Sequence, residues 1–295
     1  MLTHENAFPA APKRVVVVGA GGMVGSTIVQ ELVAAGVQTV GLTRKEVDLL
    51  AAHGAEALKT RLAPDDAVVF VSAVAPAKNV AQMMTNLRMA ESACVALAAV
   101  PPAHLLYISS DAVYADDANP VTERSAVAPS TTHGMMHAAR ELIFRAEYRG
   151  PFAVLRPTLI YGARDPHAGY GPNRFRRQAA KGEPITLFGE GEEKRDHIAV
   201  EDVARLARLI LFSRSTGSLN AVTGVATSFH DIAQIVAAQF NPRAEVKSVP
   251  RPGSRPHLLR RFFDITDCYR AFPDFHFERL AEGIARSTRA ALATG

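Results

Sequence analysis

Four consecutive valines, Val15 to Val18, run directly into Gly19-Ala20-Gly21-Gly22-Met23-Val24-Gly25, and this junction restricts the possible fold more than any other part of the chain. A stretch that is apolar at every position, rather than at every second one, belongs to a strand covered on both faces, as in parallel sheets. Similar runs follow at Thr39 to Leu42, Ala67 to Val74, His104 to Ser110 and Phe152 to Ile160. Between them the spacing turns helical: Val24, Ile28, Leu32 and Ala35 precede a stop at Gly36, and Asn79 to Ala99 and Thr131 to Tyr148 also read as helices. Strands alternating with helices predict an α/β fold with a doubly wound parallel sheet. With 295 residues, 48% of them hydrophobic, the chain can bury a large core as one unit or two smaller ones.

Gly19, Gly22 and Gly25 form GxxGxxG between the first strand and the first helix. Glycine there allows a tight turn and a close backbone approach, leaving the N–H groups of the opening turn, at Met23 and Val24, and the helix dipole to hold a pyrophosphate. This predicts a Rossmann-type dinucleotide site for NAD(P). The second strand ends on Thr43-Arg44-Lys45, where an acidic residue would otherwise grip the ribose of NAD. With no carboxylate at that point, Arg44 suits the 2′-phosphate of NADP(H), which is favoured over NAD, although an exposed loop arginine needs no such role. Asp48 and Leu49 fall where adenine would be flanked.

Residues 1–12, with Pro9 and Pro12, read as a loose leader, residues 13–162 as the dinucleotide-binding portion, and residues 163–295 as mainly substrate-binding, with 197–225 returning to the first core. The break comes at Gly162 to Asn173, rich in glycine, proline and charge. A helix at Glu201–Phe212, a strand near Leu219–Val222, a helix at Ser228–Phe240 and a last helix from Phe277 are expected beyond it. Cys94 and Cys268 lack metal or disulfide-framework spacing, which fits a reducing compartment. The leader does not resemble a signal peptide and no apolar stretch is long enough for a membrane span, so a cytoplasmic protein without a membrane partner is expected. The net charge of +4 hides an excess of arginine in the second half, including Arg174, Arg176, Arg177, Arg195, Arg260 and Arg261. That suits an anionic ligand or plain surface solvation. Nucleic acid is disfavoured, since no nucleic-acid-binding module appears.

Taken in order, these motifs resemble the extended short-chain dehydrogenase/reductase family, also called the NAD-dependent epimerase/dehydratase family, along nearly the whole chain. Besides the glycine turn they comprise Asn86, Ser109-Ser110-Asp111-Ala112-Val113-Tyr114, Arg156-Pro157 before Tyr161-Gly162, Leu187-Phe188-Gly189-Glu190-Gly191, Arg195-Asp196-His197 and Glu201-Asp202-Val203-Ala204. The resemblance implies a nucleotide-sugar substrate and, by analogy, a homodimer. It places Ala73 and Asn86 at the cofactor, Ser110 at the reacting oxygen, and Asn173, Phe188, Arg195 and Arg255 at the substrate's nucleotide diphosphate.

The family's catalytic Tyr-x-x-x-Lys is replaced: His133 stands at the tyrosine position and His137 at the lysine position, with Glu141 matching the glutamate beyond. Four residues apart, both imidazoles share a helical face. His133 would exchange a proton near neutral pH and His137 would hold the nicotinamide ribose, at least one of them neutral at pH 7. A zinc reading of HxxxH is weak, because Gly134 replaces the glutamate of HExxH and no third ligand stands out. Asp111 is followed by Ala112 where sugar 4,6-dehydratases carry glutamate, which disfavours that reaction and leaves Asp111 as a proton donor or a loop carboxylate. What remains is hydride transfer in an oxidoreductase or epimerase, or a catalytically altered dinucleotide sensor.

Overall fold

The computed structural model describes residues 1–167, 169–251, 253 and 258–293. The chain opens with β1 (Leu2–His4), β2 (Arg14–Val18), α1 (Met23–Ala34), β3 (Thr39–Leu42), α2 (Gly54–Lys59), β4 (Asp66–Phe70), α3 (Val80–Ala99) and β5 (His104–Ile108). After a 3-10 turn at Asp111–Val113 come α4 (Thr132–Glu147), β6 (Phe152–Pro157), β7 (Leu159–Tyr161), α5 (Pro172–Ala180), β8 (Ile185–Phe188) and β9 (Lys194–Ala199). The rest comprises α6 (Val200–Phe212), β10 (Ser215–Ala221), β11 (Ala226–Ser228), α7 (Phe229–Ala237), β12 (Val246–Val249), α8 (Thr266–Ala271) and α9 (Leu280–Ala293).

The valine run explains the layering. Val15 and Val17 face Ile28 and Leu32 of α1 and Val203, Leu206 and Ile210 of α6, while Val16 and Val18 face Ala90, Ala93 and Leu97 of α3 and Phe144 of α4. Alternate side chains of one strand thus enter two separate cores, and no position can be polar. The sheet has the order β1-β10-β6-β5-β4-β2-β3, parallel throughout except for β1. Winding departs to opposite sides of β2, toward β3 and then toward β4, so a crevice opens above the carboxyl ends of β2 and β4. A smaller portion combines a three-stranded sheet, β11-β9-β7, with the β12-β8 pair around Phe175, Leu187, Phe229, Ile232 and Val236.

Two expectations change. The leader is not wholly loose: Leu2 to His4 pair antiparallel with β10, Leu2 enters the core, and His4 Nδ1 lies 2.8 Å from Ser215 Oγ. An apolar residue and unpaired backbone beside an open sheet edge are enough to recruit the segment. The Phe152–Ile160 run is two strands in different sheets. Pro157 has no N–H to extend the ladder, and Thr158 turns the chain across the crevice, donating its hydroxyl to the Asp196 carbonyl at 3.2 Å. Although β9 pairs with β7 and β11, Ile198 within it already packs in the core of the large sheet, with Val203, Leu206 and Ile210 of α6 following.

Both cysteines are free and buried, and no helix among the described residues is long and apolar enough to cross a membrane. His104 is buried at the start of β5, with Nε2 2.8 Å from the Ser215 carbonyl, and burial pushes its pKa down to about 4. A depressed histidine stabilises the fold fully above its unfolded value of about 6.5 and loses that contribution as pH falls toward 4, here about 3 kcal/mol. Urea titrations between pH 7 and 4 are expected to show a shallower loss for His104→Gln, which keeps a donor for Ser215 but does not titrate. An identical slope would place the acid sensitivity elsewhere.

Candidate active site

The crevice is a cleft of ≈1310 Å³ between the two portions. Its floor on one side is the glycine turn. Gly19 takes φ +103°, and a Cβ there would come within 2.6 Å of the Ser72 backbone, while a Cβ on Gly25 would collide with the Gly19 carbonyl. Only glycine lets β2, the 71–72 backbone and α1 converge this closely. No side chain caps α1 at Gly22, so the opening turn, whose Met23 and Val24 line the cleft, keeps its N–H groups for a ligand. These residues fit a dinucleotide pyrophosphate.

Ser110, His133 and His137 line the same cleft, together with Ala73, Asp111 and Arg195. Their convergence depends on Gly134. A Cβ there would strike the Ala112 carbonyl and Pro129, so only glycine allows the first turn of α4 to lie against the Asp111–Val113 turn. Thr131 caps α4 by accepting from the Gly134 N–H at 3.1 Å, and Thr132 Oγ1 donates to the Ala77 carbonyl at 2.8 Å. That bond ties the loop after β4 to α4, and the Ala77 N–H donates to His133 Nδ1 at 3.4 Å. A neutral His133 therefore carries its proton on Nε2. The two imidazoles stand edge to face with centroids 4.7 Å apart, and His137 Nδ1 lies 2.7 Å from the buried Tyr107 hydroxyl. Burial pushes His133 below the usual imidazole range, partly offset by Asp111, and pushes His137 well below it, with His133 and Arg140 adding to the effect.

Beneath them lies a polar network. Glu141 accepts from Arg156 at 3.0 and 2.6 Å and from Ser109 Oγ at 2.5 Å; Arg156 also donates to the Tyr114 hydroxyl at 2.8 Å, and Tyr114 donates to Asn220 at 2.7 Å. Five residues spread along the sequence are thereby locked together directly below Ser110. Asp111 receives Arg195 Nη2 at 3.2 Å, and Arg261 donates to its carbonyl at 3.2 Å, with Nη1 3.8 Å from Asp116. The Asp111 carboxylate thus anchors a buried arginine while lining the cleft.

Other candidates lie outside the cleft wall. Asn86 is wholly buried: it accepts from Val74 N at 2.9 Å and donates to Val74 O and Gln82 O at 3.0 and 2.8 Å. It shapes the loop that carries Ala73 without facing the cleft, because its amide is consumed by backbone. Asn173 similarly accepts from Gly162 N at 3.2 Å and donates to Ile160 O at 3.4 Å. Phe188 stacks on Tyr170 at 4.8 Å, with the Arg174 guanidinium 5.2 Å from its ring centre. Leu49 is a core residue in the cluster with α3, since the loop after β3 folds Val47 and Leu49 inward and leaves Leu50 exposed. Arg44 is exposed and pairs with Asp48 at 3.1 Å. The strand end expected to lack carboxylates acquires two, because the turn brings Asp48 onto Arg44 and Glu46 onto the Thr43 N–H at 2.8 Å. Arg255 lies outside the described residues. Tyr107 and Arg140 were not anticipated, and Arg261 only as one of the arginines crowding the second half; the signal for Arg140 was its place three residues beyond His137 on the same face of α4. Among the described residues no three His, Cys, Asp or Glu side chains gather as a metal site.

An open doubly wound sheet with a glycine turn at its switch point and a cleft above it defines a Rossmann-type dinucleotide-binding fold. The family described as "NAD dependent epimerase/dehydratase family" matches residues 15–222, and the chain belongs to it. Solved structures with the same fold include a GDP-L-fucose synthetase from Naegleria fowleri bound to NADP, at TM-score 0.87 and 16% identity, covering 100% of this chain and 98% of that one. A UDP-N-acetylglucosamine 4-epimerase from Methanobrevibacter ruminantium M1, in complex with UDP-N-acetylmuramic acid, aligns at TM-score 0.81 and 20% identity over 97% and 100%. The enzyme of that name from Bacillus cereus aligns at 0.79 and 21% over 94% and 99%.

Proposed function

We propose that this protein is an NAD(P)-dependent enzyme that transfers hydride at a carbon of a nucleotide-activated sugar, as a reductase or an epimerase. The observation that carries the reading is the meeting of Ser110 and His133 with the glycine turn in one cleft. A bound nicotinamide supplies or accepts the hydride. The glycine turn holds the pyrophosphate through Gly22, Met23, Val24 and the α1 dipole. The Ser110 hydroxyl and His133 Nε2–H donate to the reacting oxygen, and both donors gain strength as that oxygen becomes more negative. A neutral imidazole presenting N–H suits a carbonyl being reduced: Nε2 gives its proton to the new hydroxyl and the ring regains one from water in the cleft. In the reverse direction the ring first gives the Nε2 proton to water and then takes one from the substrate hydroxyl. Arg195 and Arg261 line the same cleft, and guanidinium donors of this kind suit a diphosphate.

NADP(H) is the expected cofactor over NAD: Arg44 is held only by a surface pairing that a phosphate dianion can displace. That enzymes with this fold include one bound to NADP and others named for UDP-sugars supports the substrate class. A homodimer in the cytoplasm remains the expected setting. The test is mass spectrometry of nucleotide released on denaturation, followed by hydride exchange from isotopically labelled NADPH and NADH into a panel of nucleotide sugars and their keto forms. Incorporation of label at a sugar carbon is expected. A tightly bound dinucleotide with no exchange across the panel would instead support a dinucleotide sensor.

A further inference from the structure

Arg140 has no surface exposure, and among the described residues it forms no salt bridge. Its guanidinium donates Nη2 to the Ser72 carbonyl at 2.8 Å, approaches Met136 Sδ at 3.8 Å, and lies 4.9 Å and 5.6 Å from the ring centres of Phe70 and Tyr107. Nε has no hydrogen-bond partner. A cation taken out of water without a carboxylate is costly, and such a group persists in a fold when its charge serves something nearby. The nearest polar feature is the hydrogen bond between the Tyr107 hydroxyl and His137 Nδ1, which sits in the same pocket.

We propose that Arg140 and Tyr107 are positioning residues that lock His137 as a neutral imidazole with its proton on Nε2, turned into a hydrogen-bond donor for the cleft. A guanidinium can only donate, so it attracts the phenol oxygen and repels the phenol hydrogen. The hydroxyl hydrogen is therefore directed away from Arg140 and toward His137 Nδ1, which must accept. The remaining nitrogen then carries the proton. The same logic holds at His133, where the Ala77 N–H occupies Nδ1. Two imidazoles four residues apart thus both present Nε2–H, His133 oriented from behind by a backbone N–H and His137 by a hydroxyl that Arg140 turns into a donor.

The other groups around the pair fit this assignment. On α4, Arg140 and His133 both oppose a charge on His137. On β5, burial raises Tyr107 far above its ordinary value, against the pull of Arg140, so it remains a hydroxyl. On α3, burial raises the Cys94 thiol to about 12, leaving it uncharged. Asp111, on the turn packed against α4, favours a charge on His133, and His167 opposes one. The purpose of the device rests on the hydride-transfer reading: a fixed donor at His137 serves a ribose hydroxyl, while a neutral ring beside His133 does not compete for its proton.

The decisive experiment is independent of turnover. In protein carrying ring-¹⁵N histidine, with His137 assigned by its loss in His137→Gln, nitrogen shifts report tautomer and charge directly. The expected result is a neutral His137 from pH 8 to 5, pyridine-like at Nδ1 and pyrrole-like at Nε2. Tyr107→Phe, which removes a single oxygen, and Arg140→Met are each expected to give a mixed tautomer and a titration moved up toward 6.5, whereas Arg140→Lys keeps the wild-type pattern. The proposal is overturned by a proton on Nδ1 in the wild type, or by an unchanged pattern in Tyr107→Phe, which also decides the case should Arg140→Met fail to fold. A locked tautomer without hydride exchange on any nucleotide sugar would reject the functional reading alone.

Discussion

Replacing His133 with alanine is expected to lower turnover by about 10²- to 10⁴-fold while the Kd for the dinucleotide changes little, because the substitution removes the group that exchanges the substrate proton and none that touches the pyrophosphate. Wild-type kcat/KM should be level above pH 6.5. Burial holds the folded pKa of His133 below that value, so the active neutral ring persists and activity declines only as pH falls through the lowered pKa. The decline should disappear from whatever residual rate His133→Ala retains. Steady-state kinetics with fluorescence titration of NADPH separate the two quantities. Unchanged turnover would remove His133 from the chemistry, whereas equal losses in turnover and cofactor affinity would make it a cofactor ligand.

The second large effect concerns stability. Glu141→Ala should cost about 3–5 kcal/mol, since Arg156 would keep its charge in a buried site with only the Tyr114 hydroxyl as partner. Urea unfolding at pH 7 measures it. A loss under about 1 kcal/mol would mean that water reaches Arg156 once Glu141 is gone. Arg156→Met combined with Glu141→Leu, which removes both charges, should recover much of the loss, because an apolar pair leaves nothing unsatisfied. This network also clarifies the motif pattern: Ser109, Tyr114, Glu141 and Arg156 are linked by hydrogen bonds, so Ser109 reaches the cleft lining with its hydroxyl committed to Glu141, whereas Ser110 beside it makes no bond to that network.

Periodicity and the glycine spacing determined the class of fold, the succession of its main strands along the chain and the glycine turn at Gly19, Gly22 and Gly25, while the family resemblance pointed to Ser110, His133 and His137, which line the same cleft. Those features are local: a doubly buried strand must be apolar at every position, and a turn that admits no Cβ must be glycine. The sequence also marked the missing Tyr-Lys pair, because substitution within a fixed spacing is visible without coordinates. Tertiary structure decided what the side chains do there. Asn86 and Asn173 prove to be bound to backbone, Asp111 is held by Arg195, Leu49 turns into the core, and Leu2 to His4 join a sheet whose edge is more than two hundred residues away in the chain. Arg140 reads as one more helix arginine until folding removes it from water beside Tyr107. Hydrogen bonding and desolvation depend on which distant groups arrive at the same place, and spacing along one chain does not encode that meeting.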